Sequence, residues 1–224
     1  MKKVFLFLSM VLLTMGAMSK NPVMAVMGDS YSAHGDVIPQ GYARYYPVFY
    51  STTGVQETSQ MWWSLLAGKL KYEVGSINAY SGSTICNTGY GGQDFSNQSF
   101  VNRVALLGNP DVIFILGGTN DAWANSPLGD YVYSDWSKSD LFKFRPALAY
   151  LFSSLKKTYT NAKIYFILND NLKSEIDESV KTICKKCSVP VVELKNIDKE
   201  ADHPTIQGME QIASQVAKFV KRQK

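Results

Sequence analysis

The sequence predicts an α/β protein, a three-layer α/β/α sandwich built on a parallel sheet. Short apolar runs of the kind that fill strands buried on both faces recur along the chain. Segments with helical periodicity separate these runs, which indicates parallel βαβ units. No internal repeat, low-complexity stretch or linker divides the 224 residues, and that length suits one domain.

The predicted elements alternate between strand and helix. Gly28 ends the first strand, and a later strand runs directly into a Gly-Gly-Thr-Asn-Asp segment. The irregular segments 33–55 and 122–140 are aromatic and polar, and loops of that length inside a domain are more often functional than idle. His34 lies in the first of them, where we expect it to be exposed to solvent. The predicted strands are residues 23–27, 72–80, 111–116, 163–168 and 190–194, and the predicted helices are residues 57–70, 99–108, 140–159, 172–186 and 205–222.

Residues 1–19 have the layout of a secretory signal peptide. Lys2 and Lys3 precede an apolar run that is too short for a comfortable membrane span, and small residues follow the run. We place cleavage after Ser19, with an uncleaved anchor as the alternative. The remaining domain, residues 20–224, is then exported to the periplasm or the cell exterior, with no stable insertion in the membrane.

The net charge and the cysteine content limit the kinds of molecule that the chain is expected to bind. The formal net charge is +4, and residues 1–19 hold two lysines and no acid, so the mature chain carries only +2. That excess is too small to indicate nucleic acid or an anionic membrane as a partner. Cys184 and Cys187 could close a small disulfide in an exported protein, leaving Cys86 free. Metal binding has little support, because no second Cys/His pair stands at ligand spacing.

Short polar motifs follow the carboxyl ends of the strands, at the edge where parallel sheets bind ligands. One such motif is weak evidence, because Asp-Ser pairs usually end a strand or cap a helix. Together the motifs supply the nucleophile, base and N–H donors that acyl transfer needs. The candidates are the Ser30 hydroxyl as nucleophile, the His203 ring as base, the Asn120 side chain and the Ser30 and Gly82 amides as oxyanion donors, and Asp29 and Asp121 as supports of their loops.

The order Gly-Asp-Ser, Ser-Gly, Gly-Gly-Thr-Asn-Asp and Asp-His-Pro resembles the SGNH (GDSL-type) hydrolases, a family of lipase- and acylhydrolase-like esterases. The resemblance spans essentially the whole mature chain, and the family's invariant set falls on Ser30, Gly82, Asn120 and His203. It implies a flavodoxin-like sandwich with about five parallel strands in the order 2-1-3-4-5. It also implies ester hydrolysis through an acyl group on the serine, with no metal or other cofactor.

One position departs from the family pattern. The family commonly places an acid three residues before the histidine, and here that residue is Glu200. Glutamate can orient an imidazole as aspartate does, although its extra methylene changes the reach. We therefore predict Glu200 as the third catalytic residue. Asp198, Asp202 and a Ser–His dyad held by a backbone carbonyl are the alternatives.

The sequence thus predicts an exported serine esterase. The aromatic loops suit acetylated or otherwise acylated carbohydrates better than long lipid chains, because aromatic faces stack on sugar rings. A lipase or acylhydrolase acting on lipid esters is the alternative substrate class. A carbohydrate-binding protein without catalysis is the rival from another class, and the intact serine, asparagine and histidine argue against it.

Overall fold

Five parallel strands form the central sheet, as the sequence predicts. The computed structural model describes residues 20–47 and 52–223, so the predicted signal peptide lies outside the described residues. The strands lie side by side in the order β2-β1-β3-β4-β5, which is the doubly wound order that the resemblance implies. Their bounds are β1 (Val23–Gly28), β2 (Glu73–Ala79), β3 (Val112–Leu116), β4 (Lys163–Leu168) and β5 (Val191–Glu193).

Helices cover both faces of the sheet. They are α1 (Trp62–Leu70), α2 (Thr119–Ala124), α3 (Phe144–Thr158), α4 (Ser174–Lys186) and α5 (Ile206–Arg222). Phe114 and Leu116 of β3 belong to the core layer formed with α1 and α5. Ile113 and Ile115 belong to the layer formed with α3 and α4. Alternate side chains of one strand therefore enter two separate cores, which confirms the three-layer sandwich.

Strand β1 ends at Gly28, in the centre of the sheet. Gly28 is in register with Ala79 of β2 on one side and with Leu116 of β3 on the other. A Cβ atom on Gly28 would lie 2.4 Å from the Ser32 hydroxyl oxygen, so the turn that follows has room only for glycine. The turn places Ser30 at the carboxyl edge of β1, beside the switch point where sheets of this order bind ligands.

Two of the differences between the structure and the sequence prediction lie at residues 99–108 and in the segment before the last helix. The helix predicted over residues 99–108 is two 3-10 turns, Phe100–Asn102 and Val104–Leu106, which meet at the buried Arg103. The segment before the last helix, predicted as a loop, contains a two-stranded antiparallel hairpin. Its strands are β6 (Lys199–Glu200) and β7 (His203–Pro204).

Two predictions about membrane insertion and disulfide formation can be compared with the described residues. No helix within 20–47 or 52–223 is long and apolar enough to cross a membrane. Cys86, Cys184 and Cys187 all carry free thiols, so the disulfide considered for the last two is not formed in this structure.

Candidate active site

The structure brings Ser30 and His203 into direct contact, although 173 positions separate them in the chain. Ser30 lies in the turn after β1, and His203 lies in β7 directly before α5. The distance from Ser30 Oγ to His203 Nε2 is 2.9 Å. Both residues are buried, with 3% and 9% of their surface exposed. This is the spacing at which a ring nitrogen can take the serine proton.

Aromatic rings enclose the His203 imidazole. The Tyr45 ring stacks on it at a centroid distance of 3.6 Å and an angle of 7°, and Tyr31 lies at 5.3 Å. Burial among these rings lowers the pKa of His203 below its ordinary value of 6.5, because the charged ring loses hydration. The imidazole is therefore neutral at pH 7, as a general base must be.

The second ring nitrogen contacts a backbone carbonyl. His203 Nδ1 lies 2.9 Å from the Ala201 carbonyl oxygen. Because a carbonyl can only accept, Nδ1 carries the proton and leaves the lone pair of Nε2 facing Ser30. The carbonyl therefore selects the tautomer that a catalytic acid would otherwise select.

The structure does not place Glu200 at the ring, contrary to the geometry that the sequence predicts. Glu200 lies exposed on β6, and within the described ranges its side chain has no hydrogen bond to His203. The physical reason is the tight hairpin turn between the two residues, which inserts the Ala201 carbonyl at Nδ1. Asp198 accepts a hydrogen bond from the Thr205 hydroxyl instead, and the Asp202 side chain is exposed.

The hairpin turn between β6 and β7 has an unusual backbone conformation, which side chains outside the hairpin stabilise. Ala201 and Asp202 have φ angles of 47° and 60°, a left-handed conformation that costs non-glycine residues about 1–2 kcal/mol each. The Tyr31 hydroxyl donates to the Asp202 carbonyl at 2.5 Å, and the Tyr46 hydroxyl donates to the Pro204 carbonyl at 2.9 Å. Two buried tyrosines thus hold the carbonyls on either side of His203.

The predicted oxyanion donors lie on neighbouring loops of the same edge. Gly82 has a φ angle of +81°, which glycine adopts without strain. Asn120, buried in the first turn of α2, donates from Nδ2 to the Ser83 carbonyl at 3.0 Å. Its Oδ1 accepts from the Tyr90 hydroxyl at 2.6 Å. Within the described part of the chain, the amide N–H groups of Ser30 and Gly82 have no protein acceptor.

Arg103 links the loop that carries Ser30 to the loop that carries Gly82. Its guanidinium, buried under the site, donates to the Gly28 carbonyl at 3.1 Å and to the Ser83 hydroxyl at 3.0 Å. It also donates to Asn78 Oδ1 at 2.6 Å. Burial lowers the pKa of Arg103 to about 10, so the side chain keeps its charge at neutral pH. Every partner of this buried cation is neutral.

Asp29 and Asp121 hold their loops through backbone hydrogen bonds, as predicted. Asp29 accepts from the Tyr31 amide at 3.0 Å, and Asp121 accepts from the Ile85 and Cys86 amides at 2.8 and 3.2 Å. Both carboxyl groups are buried, and desolvation is the largest influence on each. It raises the pKa of Asp29 to about 7 and that of Asp121 to about 6.

The expectation of an exposed His34 was wrong. The side chain is fully buried, with Nε2 3.0 Å from the Gln56 carbonyl and Nδ1 accepting from the Asp36 amide at 3.3 Å. The ring thus links the 33–47 loop to the backbone of Gln56.

Sequence reasoning missed the residues that support the site from other loops. Tyr31, Tyr46, Tyr90 and Arg103 each act through contacts across long stretches of chain, and periodicity carries no information about such contacts. Only Tyr90 has a local signal, because it is the single side chain in the sequence Gly-Tyr-Gly-Gly. Among residues 20–47 and 52–223, no group of His, Cys, Asp or Glu side chains is arranged to hold a metal ion.

Residues 22–220 match the family model described as GDSL-like Lipase/Acylhydrolase. That range contains the serine, the histidine and all the oxyanion donors described above. A comparison with curated proteins gave no match.

Solved structures with the same architecture include two from Bacteroides. A candidate GDSL-like lipase from Bacteroides ovatus is 44% identical, with a TM-score of 0.88 and coverage of 91% of this chain and 99% of that one. Another from Bacteroides uniformis is 38% identical, with a TM-score of 0.89 and coverage of 91% and 97%. A family two carbohydrate esterase from Clostridium thermocellum, solved with cellohexaose, is similar in fold alone, at 17% identity, a TM-score of 0.59 and coverage of 92% and 66%.

Proposed function

Because this chain belongs to the GDSL-like lipase/acylhydrolase family and is an ester-bond hydrolase, we propose that it is an exported serine esterase that removes acyl groups from carbohydrates. The observation that carries the proposal is the 2.9 Å contact between Ser30 Oγ and His203 Nε2. A protein that only binds carbohydrate has no need for a neutral base aimed at a serine hydroxyl.

The chemistry runs in two steps. Ser30 Oγ attacks the ester carbonyl carbon while His203 Nε2 takes the hydroxyl proton, and the carbonyl electron pair moves onto its oxygen. The intermediate collapses, the alcohol leaves with the proton from Nε2, and the acyl group stays on Ser30. Water then attacks the acyl-enzyme, with His203 again taking and returning a proton, and the carboxylic acid is released.

The oxyanion is stabilised by three N–H groups, from the Ser30 and Gly82 backbones and the Asn120 side chain. The first two have no protein acceptor within the described chain, and Nδ2 of Asn120 has a second proton beyond the one given to Ser83. Donors fixed in advance at a developing negative charge are usually the largest single contribution to catalysis.

A Ser–His dyad fits the base side better than a triad with Glu200. The Ala201 carbonyl at 2.9 Å already fixes the proton on Nδ1. A neutral carbonyl stabilises the imidazolium less than a carboxylate would, so a dyad provides less electrostatic stabilisation of the transition state than a triad. In return, no carboxylate of the described residues hydrogen-bonds to the buried ring, and the charge of Asp202 raises its pKa less than burial lowers it.

The rim of the site supports a carbohydrate as the substrate. Trp123 lies one helical turn after Asn120 on α2, with its ring 5.9 Å from His203 and 39% of its surface exposed. Tyr90 is also 39% exposed, and its hydroxyl contacts Asn120. Exposed rings that contact the predicted base and the predicted oxyanion donor can stack on the faces of a sugar whose ester enters the site. The structurally similar carbohydrate esterase holds cellohexaose, which agrees with this choice.

Hydrolysis of p-nitrophenyl esters from acetate to octanoate, together with acetylated xylan, tests the proposal. Ser30→Ala should lower turnover by about 10⁴-fold or more, because catalytic groups that act as a unit fail together. Ser32→Ala is the matched control, since its hydroxyl lies in the same turn but accepts from the Trp62 indole at 3.1 Å. We expect acetate to be preferred and activity to survive a metal chelator.

Three results would contradict parts of this proposal. Full activity in folded Ser30→Ala would remove Ser30 as the nucleophile. A preference for octanoate with no release of acetate from xylan would favour lipid esters. Retention of residues 1–19 on a cytoplasmic product, measured by mass spectrometry of cell fractions, would contradict export.

A further inference from the structure

The Asn120 side chain is held at both ends. Nδ2 donates to the Ser83 carbonyl at 3.0 Å, and Oδ1 accepts from the Tyr90 hydroxyl at 2.6 Å. Turning the amide over would set its oxygen against the Ser83 carbonyl, two acceptors face to face. The pair of contacts therefore defines one orientation, in which the second proton of Nδ2 is available for the oxyanion.

Tyr90 is a dependable donor in this arrangement. Burial of its hydroxyl, with smaller contributions from the negative Asp29 and Asp121, raises the pKa of Tyr90 above its ordinary value of 10.0. The hydroxyl thus stays protonated wherever the enzyme works. Donation to an amide oxygen also draws electron density from the amide nitrogen, which makes its remaining N–H a stronger donor.

The loop around Tyr90 is built to place this hydroxyl. A Cβ atom on Gly89 would lie 2.1 Å from the Phe95 ring, so the residue before Tyr90 must be glycine. Gly91 and Gly92 follow with φ angles of 63° and 75°.

The base of the same loop is anchored to other elements. Thr88 is paired with Asp94 in an isolated bridge, and its hydroxyl donates to the Phe142 carbonyl at 2.7 Å. The Ser126 hydroxyl donates to the Thr88 carbonyl at 2.8 Å. Tyr90 therefore stands on a fixed support while its own ring is part of the site rim.

We propose that Tyr90 is a positioning residue of the oxyanion hole, acting through Asn120 to orient and polarise its amide. This inference rests on the proposed esterase function and adds to it. The Gly-Tyr-Gly-Gly sequence marks the tyrosine but not its partner, because the tyrosine and the asparagine are 30 residues apart. The ring keeps a separate contact surface for the substrate, which the hydroxyl does not provide.

A double-mutant cycle with p-nitrophenyl acetate separates these two roles. Tyr90→Phe keeps the ring and removes only the hydroxyl, so kcat should fall about 3- to 10-fold with KM unchanged, the size of one hydrogen bond. In an Asn120→Ala background, the same change should lower kcat by less than about 1.5-fold, because the group through which Tyr90 acts is gone.

Tyr131→Phe is the control variant. Tyr131 is 40% exposed, nearly the same as Tyr90, and the Arg145 guanidinium lies 4.5 Å from its ring centroid. Its hydroxyl has no hydrogen-bond partner in the described part of the chain, so its removal should leave kcat unchanged. Equal losses from Tyr90→Phe in both backgrounds, a change in KM alone, or no change would each overturn the proposal.

A crystal structure of Tyr90→Phe provides a readout that does not depend on activity. We expect the Asn120 amide to leave the Ser83 carbonyl or to occupy more than one conformation. An Asn120 side chain unchanged in place and order would overturn the proposal. If the wild-type protein proved inactive on every ester, the esterase function would fail, and the crystal structure would still decide whether Tyr90 orients Asn120.

Discussion

The two sides of the active site are held in place by different means. On the nucleophile side, the ionisable side chains of Asp29, Arg103 and Asp121 are buried and bind backbone groups of the loops that carry Ser30 and Gly82. On the base side, the acidic side chains around His203 are exposed, and backbone carbonyls provide the contacts.

This difference follows from what each side must do. The oxyanion donors must stay fixed while charge develops, and the buried hydrogen bonds of Asp29, Arg103 and Asp121 hold the loops that carry them. The base needs only the correct tautomer and a path for its proton, which one carbonyl can secure. The strain in the hairpin turn is then compensated by the Tyr31 and Tyr46 hydroxyls. The comparison predicts larger losses from changes on the nucleophile side.

After the loss of the nucleophile itself, the largest expected effect on the nucleophile side is from Asn120→Ala. Removing one fixed oxyanion donor typically lowers kcat by about 10²–10³-fold, because the bond is strongest in the transition state. KM should change little. Steady-state kinetics with p-nitrophenyl acetate measures both values. A raised KM with an unchanged kcat would make Asn120 a substrate-binding residue instead.

The buried acid on the same side should affect stability through pH. The pKa of Asp29 is about 7 in the folded protein and 3.8 ordinarily, so the folded state holds the proton more tightly. The stability this proton gives is complete below about pH 4 and is lost as pH rises through 7. Asp29→Asn should therefore become more stable relative to wild type between pH 4 and pH 8, by on the order of 1–3 kcal/mol.

Urea denaturation at pH 4, 6 and 8 measures this difference, and Asp94→Asn supplies a control that should vary little over that range. Hydrogen bonds from Ser96 lower the pKa of Asp94 below 3.8, so the stability that its carboxylate gives is present above about pH 4 and is lost only at lower pH. An Asp29→Asn difference that does not vary with pH would mean that the buried carboxyl keeps an ordinary pKa.

A smaller effect is expected on the base side from Tyr31→Phe. Loss of the 2.5 Å bond to the Asp202 carbonyl frees one end of the strained turn, so kcat should fall about 3- to 10-fold. Tyr165→Phe is the control, because that buried ring stacks on Phe114 at 5.4 Å, away from the site. A loss above 100-fold from Tyr31→Phe would show that the base side depends on its supports as strongly as the nucleophile side.

The sequence predicted the two sides unequally for a physical reason. The strand positions and the placing of Ser30 and Asn120 after two of them follow from patterns within single strands and their ends, where local residues decide the structure. The sheet order was implied only by the resemblance to the SGNH hydrolases. The group that contacts His203 Nδ1 could not be predicted from spacing. An acid three residues before the histidine reaches Nδ1 only if the backbone between the two residues has a suitable conformation. In the structure, a hairpin turn between Glu200 and His203 places the Ala201 carbonyl at Nδ1 instead of the Glu200 side chain. No feature of the sequence marks the backbone of Ala201 as left-handed.

The smallest expected effect is from substitution of the acidic residues near His203, and it tests whether their carboxylates act on Nδ1. In a dyad, Glu200→Gln, Asp198→Asn and Asp202→Asn should each change kcat by less than about 2-fold, since exposed charges act weakly on a buried ring.

The pH profile of kcat/KM provides a second test, because activity requires neutral His203 and burial lowers its pKa below 6.5. Activity should fall on the acid side with a midpoint below that value, and the midpoint should stay in place in Glu200→Gln and Asp198→Asn. It should move slightly lower in Asp202→Asn, because the charge of Asp202 raises the pKa of His203. If Glu200→Gln lowered kcat by 100-fold or more, the carboxylate would have to reach Nδ1 during turnover, and the hairpin would have to open to let it. The two sides of the site would then rely on the same kind of support, a charged side chain, which is the opposite of what the Ala201 carbonyl contact indicates.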